Sequence, residues 1–294
     1  MKTNTQIVLS ASRRTDIPAF YMDWFMSGLE KGSFSIHHPY HRKKFIVPAN
    51  REKIHSIVFW SKNYDQFIEK GYAPSIQAMG YHLYFQFTIN TPSKILEPGV
   101  PPLSSRLRQI AELGNIVDPK AINWRFDPIC RYQIYDKNGN LRLFDNLHDL
   151  DIIAQAVSKV GIQRCVTSFM NSYKKIHQRL KNLPHFHFID YTLSEKIKIL
   201  LQMEQQLKSY GIRLFVCCEK ALLEALPEGS QIQANSCIPS EFLMNHYGGK
   251  VSLRKDYGQR VKQGCQCGVS RDIGDYICQP CLHQCLYCYG YHKN

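Results

Sequence analysis

The sequence predicts an α/β protein built on a parallel (β/α)6 partial TIM-like barrel, followed by a Cys-rich, metal-organised C-terminal segment. Three observations predict this. Short apolar runs alternate with helical patterns up to about residue 220, the periodicity then stops, and seven of the eleven cysteines follow it. Such alternation is typical of parallel sheets covered by helices. We therefore expect a barrel-like domain over residues 1–230 and a metal-binding segment over residues 231–294 packed on it.

Six short apolar runs are the predicted strands: Gln6–Ala11, Ser56–Trp60, His82–Ile89, Ala121–Phe126, Arg164–Phe169 and Arg213–Cys217. Apolar residues at helical spacing predict the intervening helices Ala19–Lys31, Tyr64–Lys70, Arg106–Leu113, Leu150–Val160, Tyr173–Leu180 and Leu193–Tyr210. The last helix carries the clearest signals, a Thr192-x-x-Glu195 capping box and Gly211 as its stop. A doubly wound open sheet is the alternative arrangement.

Polar and basic side chains follow the predicted strands. In parallel α/β folds the carboxyl ends of the strands meet at one edge, which carries the chemistry. The candidate catalytic residues there are Arg13, Asp16, Lys62, Arg125 and Asp127, and the candidate cofactor contacts are Asn63 and Ser168. The three basic residues suit carboxylates or phosphates.

The chain is basic, with a formal net charge of +13. This favours either a scattered basic surface or a polyanionic partner such as a nucleic acid or a phosphorylated substrate. No apolar run approaches the ~18 residues of a membrane-spanning helix. The N-terminus has no secretory signal pattern. We therefore expect a cytoplasmic protein without a membrane partner, whose cysteines are thiols or metal ligands.

The cysteine spacing predicts a metal site. Cys281-x-x-x-Cys285-x-x-Cys288 supplies three thiolates, one fewer than a fully ligated iron–sulfur cluster, so one iron would stay open. The remaining C-terminal cysteines would complete a second site, a [4Fe–4S] cluster or zinc: Cys237, Cys265, Cys267 and Cys278. A zinc site made of Cys265-x-Cys267 and Cys278-x-x-Cys281 is the alternative, although it leaves Cys285 and Cys288 without enough partners. His283 is expected in a supporting role.

The eight residues from Cys281 to Cys288 resemble the CxxxCxΦC signature of radical S-adenosylmethionine (SAM) enzymes, with Tyr287 as the aromatic residue. In those enzymes the motif follows the first barrel strand, near the N-terminus. Here it lies six residues from the end of the chain. The resemblance therefore implies either a circularly permuted arrangement or a cluster with another use.

The whole chain also resembles an uncharacterised bacterial family, domain of unknown function 1848. The resemblance is carried by Ser10–Tyr21, Val58–Asn63, Arg125–Pro128 and Cys265–Tyr276, the last running into the cysteine motif. Gln284 and Gly290 stand where the family usually has glycine and alanine. The cysteines of the family are understood as similar to the radical SAM cluster.

These resemblances imply an iron–sulfur enzyme. A [4Fe–4S] cluster on Cys281, Cys285 and Cys288 would bind SAM, and one electron from a flavodoxin or ferredoxin would release a 5′-deoxyadenosyl radical onto an unidentified substrate. Tyr287 and Tyr289 would lie beside the cluster. The alternative is a nucleic-acid-binding protein without enzymatic activity, whose zinc or iron–sulfur site is structural.

Overall fold

The computed structural model of the protein describes residues 5–37, 43–136 and 138–290. Its strands are β1 (Ile7–Ala11), β2 (Ser33–His37), β3 (Lys44–Pro48), β4 (Ile54–Ser61), β5 (His82–Thr88), β6 (Ile122–Ile129), β7 (Arg131–Tyr135), β8 (Leu141–Asp145), β9 (Arg164–Phe169), β10 (Phe186–Phe188), β11 (Arg213–Val216), β12 (Gln233–Ala234) and β13 (Ser270–Asp272). The six strands predicted from the sequence are confirmed as β1, β4, β5, β6, β9 and β11.

The α-helices are α1 (Ile17–Phe20), α2 (Met22–Glu30), α3 (Asp65–Glu69), α4 (Tyr72–Ala78), α5 (Leu103–Ile116), α6 (Leu150–Lys159), α7 (Lys174–Leu180), α8 (Leu193–Lys208), α9 (Lys220–Glu224) and α10 (Ser240–Tyr247). Helix α8 begins at the predicted capping box, because Thr192 accepts from the Glu195 N–H and the Glu195 side chain accepts from the Thr192 N–H. The helix predicted over Ala19–Lys31 is divided into α1 and α2 at Tyr21.

The central sheet has eight parallel strands in the order β12-β11-β9-β6-β5-β4-β1-β13. Strands β1, β4, β5, β6, β9 and β11 lie side by side in the order in which they occur in the chain, as expected for successive right-handed β-α units. The α/β class and the parallel sheet are therefore confirmed. Within the described residues no pairing joins β12 to β13, so the sheet has two free edges. The C-terminal segment supplies both outer strands: β13 pairs with β1, placing Ser10 beside Asp272, and β12 pairs with β11.

Each face of the sheet packs into a separate apolar layer, because successive side chains point to opposite faces. On β1, Leu9 joins the large core formed with the helices, whereas Val8 joins a second core. The second core contains Leu243 of α10 and four buried cysteines: Cys217, Cys237, Cys265 and Cys267. The C-terminal segment thus covers the face of the sheet that the other helices leave free.

Two small antiparallel sheets complete the fold. Strands β2 and β3 form one, and β10, β7 and β8 form the other. Tyr132 of β7 and Phe186 of β10 pack in one apolar cluster with Cys285 and Tyr287. The three-stranded sheet therefore covers the cysteine motif. No helix in the described residues has the length and apolar character needed to cross a membrane.

Candidate metal centre

The carboxyl ends of the parallel strands meet at one edge of the sheet, as the sequence predicted. Strand β13 connects this edge to the cysteine motif through Asp272. The Asp272 carboxylate accepts hydrogen bonds from the Ser10 and Ser12 hydroxyls at 3.0 and 2.6 Å, and from the Arg13 backbone N–H at 2.8 Å. The end of β1 is thereby fixed to the strand that leads into the cysteines.

The cysteine loop, residues 278–288, lies directly beside the end of β1. Backbone N–H groups of Asp16 and His283 hydrogen-bond to the Cys281 sulfur, and the Gly290 N–H donates to the Cys288 Sγ at 3.3 Å. Such N–H groups stabilise the thiolate that a metal requires. The three motif thiols are close enough for their charges to interact, as Cys285 with Cys281 and Cys288.

The spacing of these thiols suits a cluster more than a single ion. Among the described residues, the one group of three potential ligand atoms that all lie within 4.8 Å of one another is elsewhere, at His37, Asp275 and Cys278. Burial raises the pKa of Cys281 to about 12 and that of Cys285 well above its usual value. Without a cation these two thiols are protonated at neutral pH. The donor set therefore fits an iron–sulfur cluster, because thiolate ligation would offset the burial of the sulfurs.

Arg179 and His283 hold the cysteine loop from two sides. The Arg179 guanidinium donates to the carbonyls of Cys285 and Leu286, each at 3.0 Å, and to that of Cys288. The His283 ring lies 2.8 Å from Asp16 Oδ2 and 3.1 Å from the Gly99 carbonyl. Gln284 adopts a left-handed backbone with φ 56°, a conformation that glycine adopts without strain.

Gly99 allows the cysteine loop to approach the loop after β5. Its N–H donates to the His283 carbonyl at 3.0 Å, and a Cβ at this position would lie 2.6 Å from the Leu282 carbonyl oxygen and 2.9 Å from the His283 Cα. Both contacts are with backbone, which cannot rotate away as a side chain can.

We therefore expect Gly99→Ala to displace the cysteine loop and to lower the iron content of anaerobically purified protein at least several-fold. Gly258→Ala is the matched control, since its Cβ would meet only a flexible Asp256 side chain at 3.2 Å. Iron and unfolding midpoint are measured for both variants. Equal iron in Gly99→Ala and wild type would show that the loop tolerates the added methyl group.

A buried ionic network lies beside Cys285. Glu97 Oε1 accepts from Lys62 Nζ and Asn90 Nδ2, each at 2.9 Å, and from the Tyr287 hydroxyl. Glu97 Oε2 lies 4.0 Å from Arg106 Nη1 and has no hydrogen-bond partner in the described chain. Burial alone would raise the pKa of Glu97, but the charges of Lys62 and Arg106 outweigh it and lower the pKa. The carboxylate therefore remains ionised next to the motif.

A second polar group occupies the ends of β6 and β9. Asp127 accepts from the Arg125 guanidinium and from the Ser168 hydroxyl, and its backbone N–H donates to Asn90 Oδ1 at 2.8 Å. Asn90 thus joins this group to the Glu97 network. Four of the candidate residues predicted from the strand ends (Lys62, Arg125, Asp127 and Ser168) therefore belong to one hydrogen-bonded system.

Both arginine candidates lie near the Trp60 ring. The Arg13 and Arg125 guanidinium carbons each lie 5.5 Å from the centre of its ring, a favourable cation–π distance. Arg13 Nη1 donates to Ser270 at 3.1 Å, whereas its buried Nη2 has no hydrogen-bond partner in the described chain. This leaves one guanidinium donor available to an anionic group.

Asn63 and the two tyrosines differ in their surroundings. The Asn63 side chain accepts from Gln109 at 2.9 Å and from the Asp65 N–H at 3.2 Å, so it orders the start of α3 within the protein. Tyr287 is buried against Glu97. Tyr289 is 42% exposed and donates to the Arg13 carbonyl at 3.1 Å. The two tyrosines flank Cys288 in the chain.

The predicted second cysteine set has different members in the structure. Cys237, Cys265 and Cys267 lie together with Cys217 and Cys218, two cysteines that follow β11. Cys278 is not among them. It is exposed, and its thiol lies 3.7 Å from His37 Nδ1. The reason is local, because Asp275 Oδ1 accepts from the Ile277 and Cys278 N–H groups and turns the chain there.

His37 therefore has partners that the sequence did not indicate. Its Nδ1 lies 2.7 Å from Asp275 Oδ2, which already uses the ring nitrogen nearest to Cys278. Two further histidines follow His37 in the sequence His37-His-Pro-Tyr-His41. Both of them, His38 and His41, lie outside the described residues.

A family model described as "Domain of unknown function (DUF1848)" matches residues 8–290. The chain belongs to this family. The resemblance inferred from the sequence motifs is thereby confirmed. No curated protein matches the chain.

In this DUF1848 protein several residues of the site carried no recognisable sequence signal. Glu97 lies in a Pro-rich loop, Arg179 on the short helix α7, and Asp272 on a three-residue strand. Cys217 and Cys218 could have been found, because they directly follow a predicted strand and so lie at the edge that carries the other candidates.

Proposed function

We propose that this DUF1848 protein is a circularly permuted radical SAM-like enzyme, in which Cys281, Cys285 and Cys288 hold a [4Fe–4S] cluster. The observation that carries the proposal is the parallel pairing of β13 with β1. The cysteine loop follows β13 at the carboxyl edge of the sheet. In radical SAM enzymes the motif follows the first barrel strand. Here the motif follows β13, which lies beside β1 as the first barrel strand lies beside the second.

The strand order supports the permutation. Counted from β13, the sheet continues through β1, β4, β5, β6 and β9, which makes six adjacent parallel strands. We interpret these six as the partial TIM-like barrel, with β11 and β12 as additions at the far edge. The motif is then last in the chain but first in the sheet.

The protein's own groups suit the two ends of an amino acid moiety. A reduced cluster on Cys281, Cys285 and Cys288 would, with SAM bound, supply the chemistry of hydrogen abstraction. Arg13 Nη2 is a buried guanidinium donor with no hydrogen-bond partner among the described residues, which suits a carboxylate. Glu97 Oε2, which also has no hydrogen-bond partner in the described part of the chain, suits an ammonium group. Lys62, beside Cys285, offsets the negative charge of the thiolates.

The basic residues at the strand ends favour an anionic substrate, such as a phosphorylated molecule or a nucleic acid. Arg125 and Arg13, both near the Trp60 ring, combine positive charge with an aromatic surface, a combination that suits a nucleotide. The electron donor would be a flavodoxin or a ferredoxin.

Anaerobic purification followed by spectroscopy tests the proposal. We expect a brown protein with broad absorption near ~400 nm that dithionite bleaches, as for thiolate-ligated clusters. Adding SAM to the reduced protein should then release 5′-deoxyadenosine, detected by chromatography and mass spectrometry. A cluster-replete, reduced protein that leaves SAM intact would contradict the enzymatic proposal and favour a structural or electron-transfer role.

A further inference from the structure

Five cysteine thiols form a ring on the face of the sheet covered by the C-terminal segment. The Cys217 Sγ lies 3.6 Å from that of Cys218 and 3.9 Å from that of Cys237. The Cys265 thiol is close enough to interact with those of Cys218 and Cys267, and the Cys267 thiol with that of Cys237. Three distant chain segments contribute to this ring, which no local turn would assemble by itself.

Cationic and amide donors surround the ring. Arg125 Nη1 and Asn235 Nδ2 lie 3.0 and 3.1 Å from the Cys237 Sγ. The Arg13 charge faces Cys267, and the Arg260 charge faces Cys218. Hydrogen bonds and guanidinium charges of this kind stabilise thiolates over thiols. These donors would offset the negative charge of thiolates bound to a metal.

The ring is too wide for one ion. Tetrahedral zinc with Zn–S bonds of ~2.3 Å brings all four sulfurs within about 3.8 Å of one another. The Cys217 Sγ lies near that distance from Cys218 and Cys237, at 3.6 and 3.9 Å, but no three of the five thiols lie within 4.8 Å of one another, since the single such group in the described residues lies at His37. Thiols that lie close to their neighbours but not all close to one another suit a polynuclear centre, in which different metal atoms take different thiolates.

We propose that Cys217, Cys237, Cys265 and Cys267 bind a second iron–sulfur cluster, separate from the one on the Cys281 motif. These four thiols are the buried members of the ring, whereas Cys218 is partly exposed. Cys218 has φ 59°, an uncommon conformation for a residue other than glycine, and it lies at the rim. This site does not depend on SAM chemistry at the other motif.

The first experiment removes the other motif. A Cys281→Ser/Cys285→Ser/Cys288→Ser triple variant, purified anaerobically and reconstituted with iron and sulfide, should retain about two to four irons per chain with matching acid-labile sulfide. A folded triple variant that holds no iron, or holds zinc without sulfide, would overturn the proposal. The iron content of the triple variant is independent of deoxyadenosine formation, so the two proposals fail separately.

Single changes in the triple background identify the ligands. Cys237→Ser should remove the remaining iron, whereas Cys165→Ser, a buried cysteine of the other core, should retain it. Cys218→Ser should also retain iron. Loss of iron from this variant would contradict the assignment of the four buried thiols.

Circular dichroism verifies that each variant is folded. Mössbauer spectra of ⁵⁷Fe-labelled wild type provide a measurement that needs no variant, and we expect two distinct clusters. A single cluster signal in fully loaded protein would contradict the second site.

Discussion

Replacing Cys285 with alanine should abolish 5′-deoxyadenosine formation, with a loss of at least several hundred-fold. Cys285 is buried among Leu96, Val100 and Tyr132, where no water-exposed group could replace its thiolate. The variant keeps two of the three motif cysteines proposed to hold the cluster. Three thiolates are already one fewer than the usual four, so we expect the loss of another to release the cluster. Deoxyadenosine is measured after SAM and dithionite are added under anaerobic conditions.

Cys130→Ala is the matched control for this change. Cys130 lies in the same buried apolar cluster as Cys285 but outside the motif, so the variant loses a thiol of equal size from the same surroundings. Its activity should remain near that of wild type. Equal activity in Cys285→Ala and Cys130→Ala would exclude the motif as the site of SAM cleavage.

Replacing Glu97 with glutamine should destabilise the metal-free protein by about 3–5 kcal/mol, the usual cost of leaving a buried charge without its partner. Glu97 is only 2% exposed, and its removal leaves the Lys62 and Arg106 charges inside the protein. Urea unfolding measures the change. Glu112→Gln, which breaks an exposed pair with Arg108, is the control and should cost below ~1 kcal/mol.

The effect of Glu97 should depend on pH. Its pKa in the folded protein is lowered from 4.5, because the charges of Lys62 and Arg106 outweigh the effect of burial. The carboxylate therefore contributes stability above pH 4.5, and this contribution is lost as the pH falls through the folded-state pKa. The stability difference between wild type and Glu97→Gln should narrow on acidification. A difference that stays constant down to pH 3 would contradict this role.

The long, apolar strands of the sheet were predicted from the sequence, because an apolar run between two helical patterns can form few structures other than a buried strand. The sequence did not predict β12 and β13, which have two and three residues. Strands of that length have no periodicity to detect. They exist because β11 and β1 offer backbone partners, and this information is absent from the segments themselves.

For the site, too, local patterns predicted some residues and missed those that depend on tertiary packing. The strand-end rule identified Lys62, Arg125 and Asp127 correctly as members of one edge, since parallel strands impose that geometry. Spacing along the chain grouped Cys278 with Cys237, Cys265 and Cys267, whereas the structure places Cys278 beside His37 and brings Cys217 to the other three, because tertiary packing brings distant segments together. Glu97 was also missed, as nothing in a Pro-rich loop distinguishes a buried carboxylate from an exposed one.

The pairing of β13 with β1 has a consequence for biosynthesis. Val8 and Ser270 are partners although almost the whole chain lies between them, a contact of very high sequence separation, which slows folding. During synthesis β1 is made long before β13 and the cysteine loop that follows it. The edge of β1 therefore stays unpaired during translation until β13 is made. An open strand edge of this kind can bind another chain.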